Sequence, residues 1–199
     1  MSVAETRQHD LSLAQRAADG DRAAQRELFA RLKVGVHHTL FRILGSNRDL
    51  EDLIQDAFLE IFRALPSFRG DSSLPRWSQT IATRTAYLAM QRRKPTPVDL
   101  DDVEQEVVDR DPDAHRIALA KQAAKRLYAV LDKLDPKMRI AFALAAIDGL
   151  PLQEVAELTE SSLVATKTRV WRARREVMKR AQKDPVLASY VADLGGGER

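Results

Sequence analysis

The chain contains no cysteine, which excludes disulfides, thiolate metal sites and cysteine nucleophiles and makes a reducing compartment the simpler expectation. Only eight glycines and eight prolines punctuate the 199 residues, and the polar–apolar alternation that marks half-buried strands is scarce. The expected fold class is therefore all-α. No stretch approaches the ~18 uninterrupted apolar residues that cross a bilayer, and no basic stretch followed by an apolar run opens the sequence. A cytoplasmic protein without membrane insertion is expected. His9, His37, His38 and His115 lack the i, i+4 spacing of a ligand pair, and neither a glycine-rich phosphate loop nor a Gly-x-Ser-x-Gly elbow occurs. No catalytic residue, metal ligand or cofactor is assigned, and the histidines are taken as incidental.

What is present is helical periodicity and segregated charge. The length suits two small domains, and 44% apolar with 31% charged residues suits a folded one. The net charge of +3 identifies no partner, since electrostatic recognition depends on where charges cluster. Residues 10 to 45 read as helices carrying Leu28, Phe29, Leu32, Val36, Leu40, Phe41 and Leu44. Ser46 and Asp49 have capping-box spacing, with Asp in place of Glu or Gln. The following segment repeats Leu50, Leu53, Ile54, Ala57, Phe58, Ile61, Phe62 and Leu65 at three- and four-residue steps, which predicts one buried helical face.

A break from Pro66 to Pro75 precedes a helix whose expected inner face is Leu74, Trp77, Ile81, Thr85 and Leu88. Basic Arg92, Arg93 and Lys94 end it, and Pro95 and Pro97 stop it. Residues 95–115 hold eight acidic residues, one Arg and three prolines, so they read as a solvated flexible linker. The domains expected are 10–94 and 116–183, with 184–199 as a flexible tail. In the second, periodicity runs through Ile117, Leu127, Leu131 and Leu134, and Pro136 can open a helix ending near Gly149.

Three surfaces carry functional signals. Asp49, Asp52 and Asp56 line the outer face of the helix over 50–65; like charges four apart cost an isolated helix ~0.2–0.5 kcal/mol, so a partner that uses them is one reading and a solubilising surface the other. On the next helix Arg76, Thr80, Thr83, Arg84 and Tyr87, with Lys94, are expected to face outward, a mix of cations and one aromatic that suits single-stranded DNA. Trp77 is assigned to the core. The third surface is a helix-turn-helix: Pro151–Leu158, the turn Thr159-Glu160-Ser161-Ser162, and a helix from Ser162 to about Gln182. On it Leu163, Thr166, Val170, Ala173 and Val177 point inward, which leaves Ala165, Thr168, Arg172 and Arg175 as an outer stripe able to enter a major groove. From Lys167 to Lys183 eight Lys or Arg residues face only Glu176, enough for several phosphate contacts, although an ordinary solvated basic helix shows the same pattern.

These residues resemble the extracytoplasmic-function sigma factors of bacterial RNA polymerase. Asp49-Leu50-Glu51-Asp52-Leu53-Ile54-Gln55-Asp56-Ala57-Phe58, continued by Arg63-Ala64-Leu65-Pro66 and Phe68-Arg69-Gly70, is similar to the family's polymerase-binding segment. Trp77, Ile81-Ala82 and Arg92 to Lys94 are similar to its promoter-melting segment. Leu134 to Arg139, Gly149-Leu150, Val155-Ala156-Glu157-Leu158 and Lys167 to Arg174 are similar to its upstream-element helix-turn-helix. Two departures stand out: Glu160 occupies the turn position where the family usually has Gly, and Leu163-Val164-Ala165-Thr166 replaces a Val-Gly-Thr-Val-like opening. Trp171 also takes a position that often holds a smaller or imidazole side chain.

The resemblance implies a non-enzymatic alternative sigma factor. Asp49, Asp52, Gln55 and Asp56 would bind polymerase core at the clamp of the largest subunit. Phe68, Arg69, Asp71, Ser72, Ser73, Arg76, Thr80, Thr83, Arg84 and Tyr87 would serve the minus-10 element. Ala165, Lys167, Thr168, Arg169, Trp171, Arg172 and Arg175 would serve the minus-35 element. Implied partners are polymerase core, promoter DNA and an anti-sigma protein. A stand-alone helix-turn-helix regulator is the rival reading, against which the acidic helix argues. A helical nucleic-acid-processing enzyme is a third, disfavoured by the missing nucleophile and ligand clusters.

Overall fold

The computed structural model describes residues 3–45, 49–92 and 112–188. The first half comprises α1 (Val3–Ala18), α2 (Arg22–Leu44), α3 (Leu50–Ala64), a 3-10 turn (Leu65–Ser67) and α4 (Leu74–Arg92). The second comprises α5 (Pro112–Leu131), α6 (Pro136–Phe142), a π-helical turn (Ala143–Ile147), α7 (Leu152–Leu158) and α8 (Leu163–Ala181). No strand occurs among the described residues, as the composition led one to expect.

Local signals explain most boundaries. Asp21 caps α2 by accepting from the Ala23 and Ala24 amides at 2.8 and 3.2 Å. Asp135 caps α6 in the same way, with Pro136 in its first turn where a missing N–H costs nothing. Ser162 accepts from the Ala165 amide and starts α8. Asp49 precedes α3 with its backbone oxygen accepting from Leu53, without a capping-box side-chain bond; Ser46 lies outside the described residues.

The α3 stripe is as expected: Leu53, Ala57, Phe58, Ile61 and Leu65 are buried, and Leu50, Ile54 and Phe62 are half-buried. Phe29 of α2 differs, being 39% exposed with its ring tilted against Phe58 at 4.5 Å between centroids. On α4 the inner row is centred on Ser78, Ala82 and Thr85, about one residue round from the expected row. Trp77 and Ile81 are therefore only half-buried, and Leu88 lies at the margin, 40% exposed.

Ordered structure also extends beyond the expected bounds at three places. Helix α1 begins at Val3 and sends Leu13, Ala14 and Ala17 into the core, while α5 begins at Pro112. Leu187, expected in a free tail, is buried at 5% because Asp184 bonds the Val186 and Leu187 amides and folds the chain back.

The two halves share apolar packing. One cluster joins the α1–α4 core to Ile140, Ala141, Ala143, Leu144, Val155, Leu158 and Val170, and a smaller one lies between α5, α6 and α8. At the junction the last carbonyls of α2, which no helix can satisfy internally, take donors from the other half. Buried Arg139 donates through Nε to Ile43 O at 2.8 Å and through Nη2 to Leu44 O at 3.0 Å, and pairs with Asp132. The Tyr128 hydroxyl donates to Arg42 O at 2.9 Å, and burial pushes its pKa up. Asp148 completes the seam opposite His38 and Arg42, each at 3.4 Å.

Arg139→Met should lower stability by about 2–3 kcal/mol, since it strands two buried carbonyls, and should split a single urea transition into two. A single transition of unchanged midpoint would refute that role. A second prediction concerns acid. The Arg16 side chain and two backbone amides hold the Asp21 carboxylate below its ordinary range. Its stabilisation is present above the unfolded value of about 4 and is lost as pH falls through the folded one. Asp21→Asn should therefore flatten the fall in stability below about pH 4 in an acid titration followed by circular dichroism.

Candidate nucleic-acid interface

On α3 the side chains of Asp49, Glu51, Asp52, Gln55 and Asp56 are all exposed, because the 3.6-residue repeat turns them away from the Leu53–Ala57–Ile61 row. One turn on, Leu59 is 54% exposed beside the Glu60–Arg63 pair. It extends the acidic face with an apolar patch that sequence reasoning passed over, since a single leucine off the buried stripe breaks no pattern.

The minus-10 candidates split into two groups. In the loop, Arg69, Asp71, Ser72 and Ser73 are exposed, Gly70 takes φ 69° and Phe68 packs on the Trp77 ring at 5.2 Å. Half-buried Trp77 thus bridges core and loop. The α4 group does not face solvent as expected. Arg76, Thr80, Thr83 and Tyr87 lie on the side opposite the inner row, where α6 and α7 cover them, and only Arg84 stays exposed. Thr83 is 3% exposed and donates to Gln79 O. Arg76 is held by α7, with Nη1 to Glu154 Oε2 at 3.1 Å, Nη2 to Glu154 O at 2.8 Å and Nη2 to Glu157 Oε2 at 3.5 Å. Tyr87 lies under the Lys137 ammonium at 5.7 Å.

Between the halves a cleft of about 400 Å³ is lined by Thr80, Arg84 and Tyr87 on one wall and by Lys137, Glu160 and Arg169 on the other. Charge inside it is mainly positive. Nothing in the local sequence of α4 marks a face that another part of the chain covers, so spacing alone places it in solvent, and the carboxylates of Glu154 and Glu157 carry no motif.

The second half holds its helix-turn-helix by hydroxyls. Thr159 donates to Val155 O, Ser161 bonds Thr166 at 2.8 Å, and Thr166 is fully buried. Glu160 adopts φ 47°, the left-handed conformation that glycine takes freely and other residues reach at a cost of about 1–2 kcal/mol. On α8, Lys167, Thr168, Trp171, Arg172, Arg174 and Arg175 are exposed and Ala165 is half-buried. The Thr168 hydroxyl donates to Val164 O. Arg169 is half-buried and turned into the cleft, away from the outer stripe. Trp171 is 60% exposed with the Arg175 guanidinium 5.6 Å over its ring, and Val164 is 74% exposed. Among the described residues no three His, Asp or Glu side chains group as metal ligands; the His115 side chain lies outside them.

Residues 28–96 match the family model of Sigma-70 region 2, and residues 124–177 match that of Sigma-70, region 4. The ECF RNA polymerase sigma-E factor of Escherichia coli strain K12 is 30% identical over 181 residues, covering 87% of this chain and 94% of that protein. The sigma-E factor of Haemophilus influenzae is 29% identical over the same length, with 87% and 95% covered. Among solved structures, CnrH in complex with the cytosolic domain of CnrY aligns with a TM-score of 0.59 at 25% identity, covering 88% of this chain and 98% of that one. The sigma factor RpoE of Bartonella quintana, solved with the anti-sigma factor NepR, aligns at 0.54 with 26% identity, covering 80% and 97%. With both sigma regions matched in order and a relative at this identity covered almost end to end, the chain belongs to the ECF sigma factors of bacterial RNA polymerase.

Proposed function

We propose that this alternative sigma factor docks on core polymerase through Asp49, Asp52, Gln55 and Asp56, reads the minus-35 element with α8, and captures the opened minus-10 strand with the loop 68–73 and the outer side of α4. The observation that carries this reading is the arrangement of charge: one exposed carboxylate face on α3, and cations gathered on α4 and α8 of one helical scaffold. Melting then needs no chemistry from this protein. Contacts to unpaired bases offset the few kcal/mol lost when each base leaves the stack. The protein acts wherever polymerase works, in the cytoplasm, and the complex of the similar RpoE with NepR supports an anti-sigma partner here as well.

The covered α4 face gives the mechanism an order of events. In the closed protein the carboxylates of Glu154 and Glu157 occupy the place that strand phosphates would take on Arg76. Docking on polymerase must draw α7 away from α4 before the strand can enter. The domains proposed are residues 10–94 and 116–183, and limited proteolysis of the opened protein should cut first between Pro95 and His115.

Asp52→Lys should weaken core binding roughly tenfold or more in a direct titration while leaving the circular dichroism unchanged, because the site faces away from the core. Unchanged affinity would remove the docking assignment. Glu154→Gln with Glu157→Gln should raise the affinity of the free protein for a labelled mixed-sequence single-stranded 12-mer several-fold, since two partly exposed ion pairs together contribute roughly 1 kcal/mol. Equal binding by wild type and variant in fluorescence anisotropy would show that these carboxylates do not guard Arg76.

A further inference from the structure

Helix α1 lies upstream of the residues matched by the region 2 family model, which begin at 28. Three of its residues, spaced to share one face, nevertheless contact the loop between α3 and α4. Asp10 is the one buried acidic side chain among the described residues, 1% exposed. Its Oδ1 pairs with Arg31 Nη2 of α2 at 2.5 Å, and its Oδ2 accepts from the Leu74 amide at 2.8 Å. Leu74 is the first residue of α4, whose opening amides have no partner within the helix, so Asp10 caps α4 from 64 residues away and sets a negative charge at its positive end.

Leu11 and Arg7 press on the loop backbone. A Cβ at Gly70 would stand 3.2 Å from Leu11 Cγ and 3.2 Å from Arg7 Nε, and Gly70 already holds φ 69°. Arg7 reaches Asp71 at 3.9 Å. That exposed pair adds little energy, but it lies on the same side of the loop as the other two contacts.

We infer that α1 is the support that fixes the shape of the loop 68–73, and that Asp10 is a positioning residue for capture of the extruded minus-10 base. The inference rests on the proposed role of that loop. A loop that must close on one base needs its backbone held before the base arrives, since ordering backbone residues during binding costs conformational entropy. The carboxylate supplies that hold at the exit of the loop, Leu11 supplies it at Gly70, and Arg31 neutralises the buried charge.

The test uses holoenzymes assembled from the full chain and core polymerase. Each selects from a DNA library that carries an unpaired, randomised stretch in the minus-10 region beside a fixed duplex. Asp10→Asn retains an acceptor for the Leu74 amide but leaves Arg31 without its carboxylate; Asp10→Asn with Arg31→Gln restores charge balance; Leu11→Ala is a milder change outside the Asp10–Arg31 pair. Melting temperature and core affinity are measured alongside. Asp10→Asn is expected to lower enrichment of the preferred unpaired base about tenfold while core affinity stays within twofold. The double variant should recover most of that preference, and Leu11→Ala should lose part of it with the fold intact.

Wild-type preference retained by both Asp10→Asn and Leu11→Ala would overturn the inference. So would a loss of base preference in step with core affinity and melting temperature, which marks a purely structural residue. A wild-type holoenzyme without preference anywhere in the unpaired stretch would instead overturn the reading of the loop itself.

Discussion

The last turn of α2 cannot satisfy its own carbonyls, and the relation between the two halves follows from how that need is met. A helix of 23 residues ends at Gly45 with carbonyl oxygens directed at the other half. Arg139 and Tyr128 supply the donors. Once those bonds fix α6 against α2, the π-helical turn brings Leu144 onto the first core, and α7 comes to lie along α4. The covering of Arg76, which leaves it half-buried, follows from the same placement. The buried Arg139 guanidinium contributes more to geometry than to net stability, because desolvating it consumes much of what its bonds return.

Much of this was legible in the sequence, and each miss has its own physical cause. The α3 stripe, the breaks at Pro66–Pro75 and Pro136, and the helix-turn-helix spacing are local patterns, and local patterns decide local structure. Thr83 and Arg76 were misread because periodicity reports that a face is polar, not whether another part of the chain covers it. Leu88 was misread because a row shifted by about one residue round a helix still satisfies a three- and four-residue spacing. Glu160 is different again: a residue other than glycine in a left-handed turn is a local conflict, resolved by the hydroxyl bonds of Thr159, Ser161 and Thr166 on either side. Asp10 gave no signal, since its partners lie 21 and 64 residues away.

The distribution of charge gives the surfaces distinct dependence on salt. Carboxylates on α3 and cations on α8 are exposed and screened within about 8 Å at physiological ionic strength. Buried Asp10 and half-buried Arg76 are screened less by added salt than those exposed groups. Raising the ionic strength therefore weakens long-range steering toward polymerase and DNA before it disturbs the closed packing of the halves.

Gly45 carries a consequence of its own. With φ at 74°, the ring of Tyr128 sits where a side chain would begin, only 2.8 Å from the position of a Cβ. Positions 45 and 128, one in each half, therefore cannot drift separately. A lineage that gains a side chain at 45 must first shrink the aromatic at 128, and in doing so gives up the hydroxyl that reaches Arg42. The two halves of the chain are bound to a common history at this point, even where their DNA-reading surfaces diverge freely.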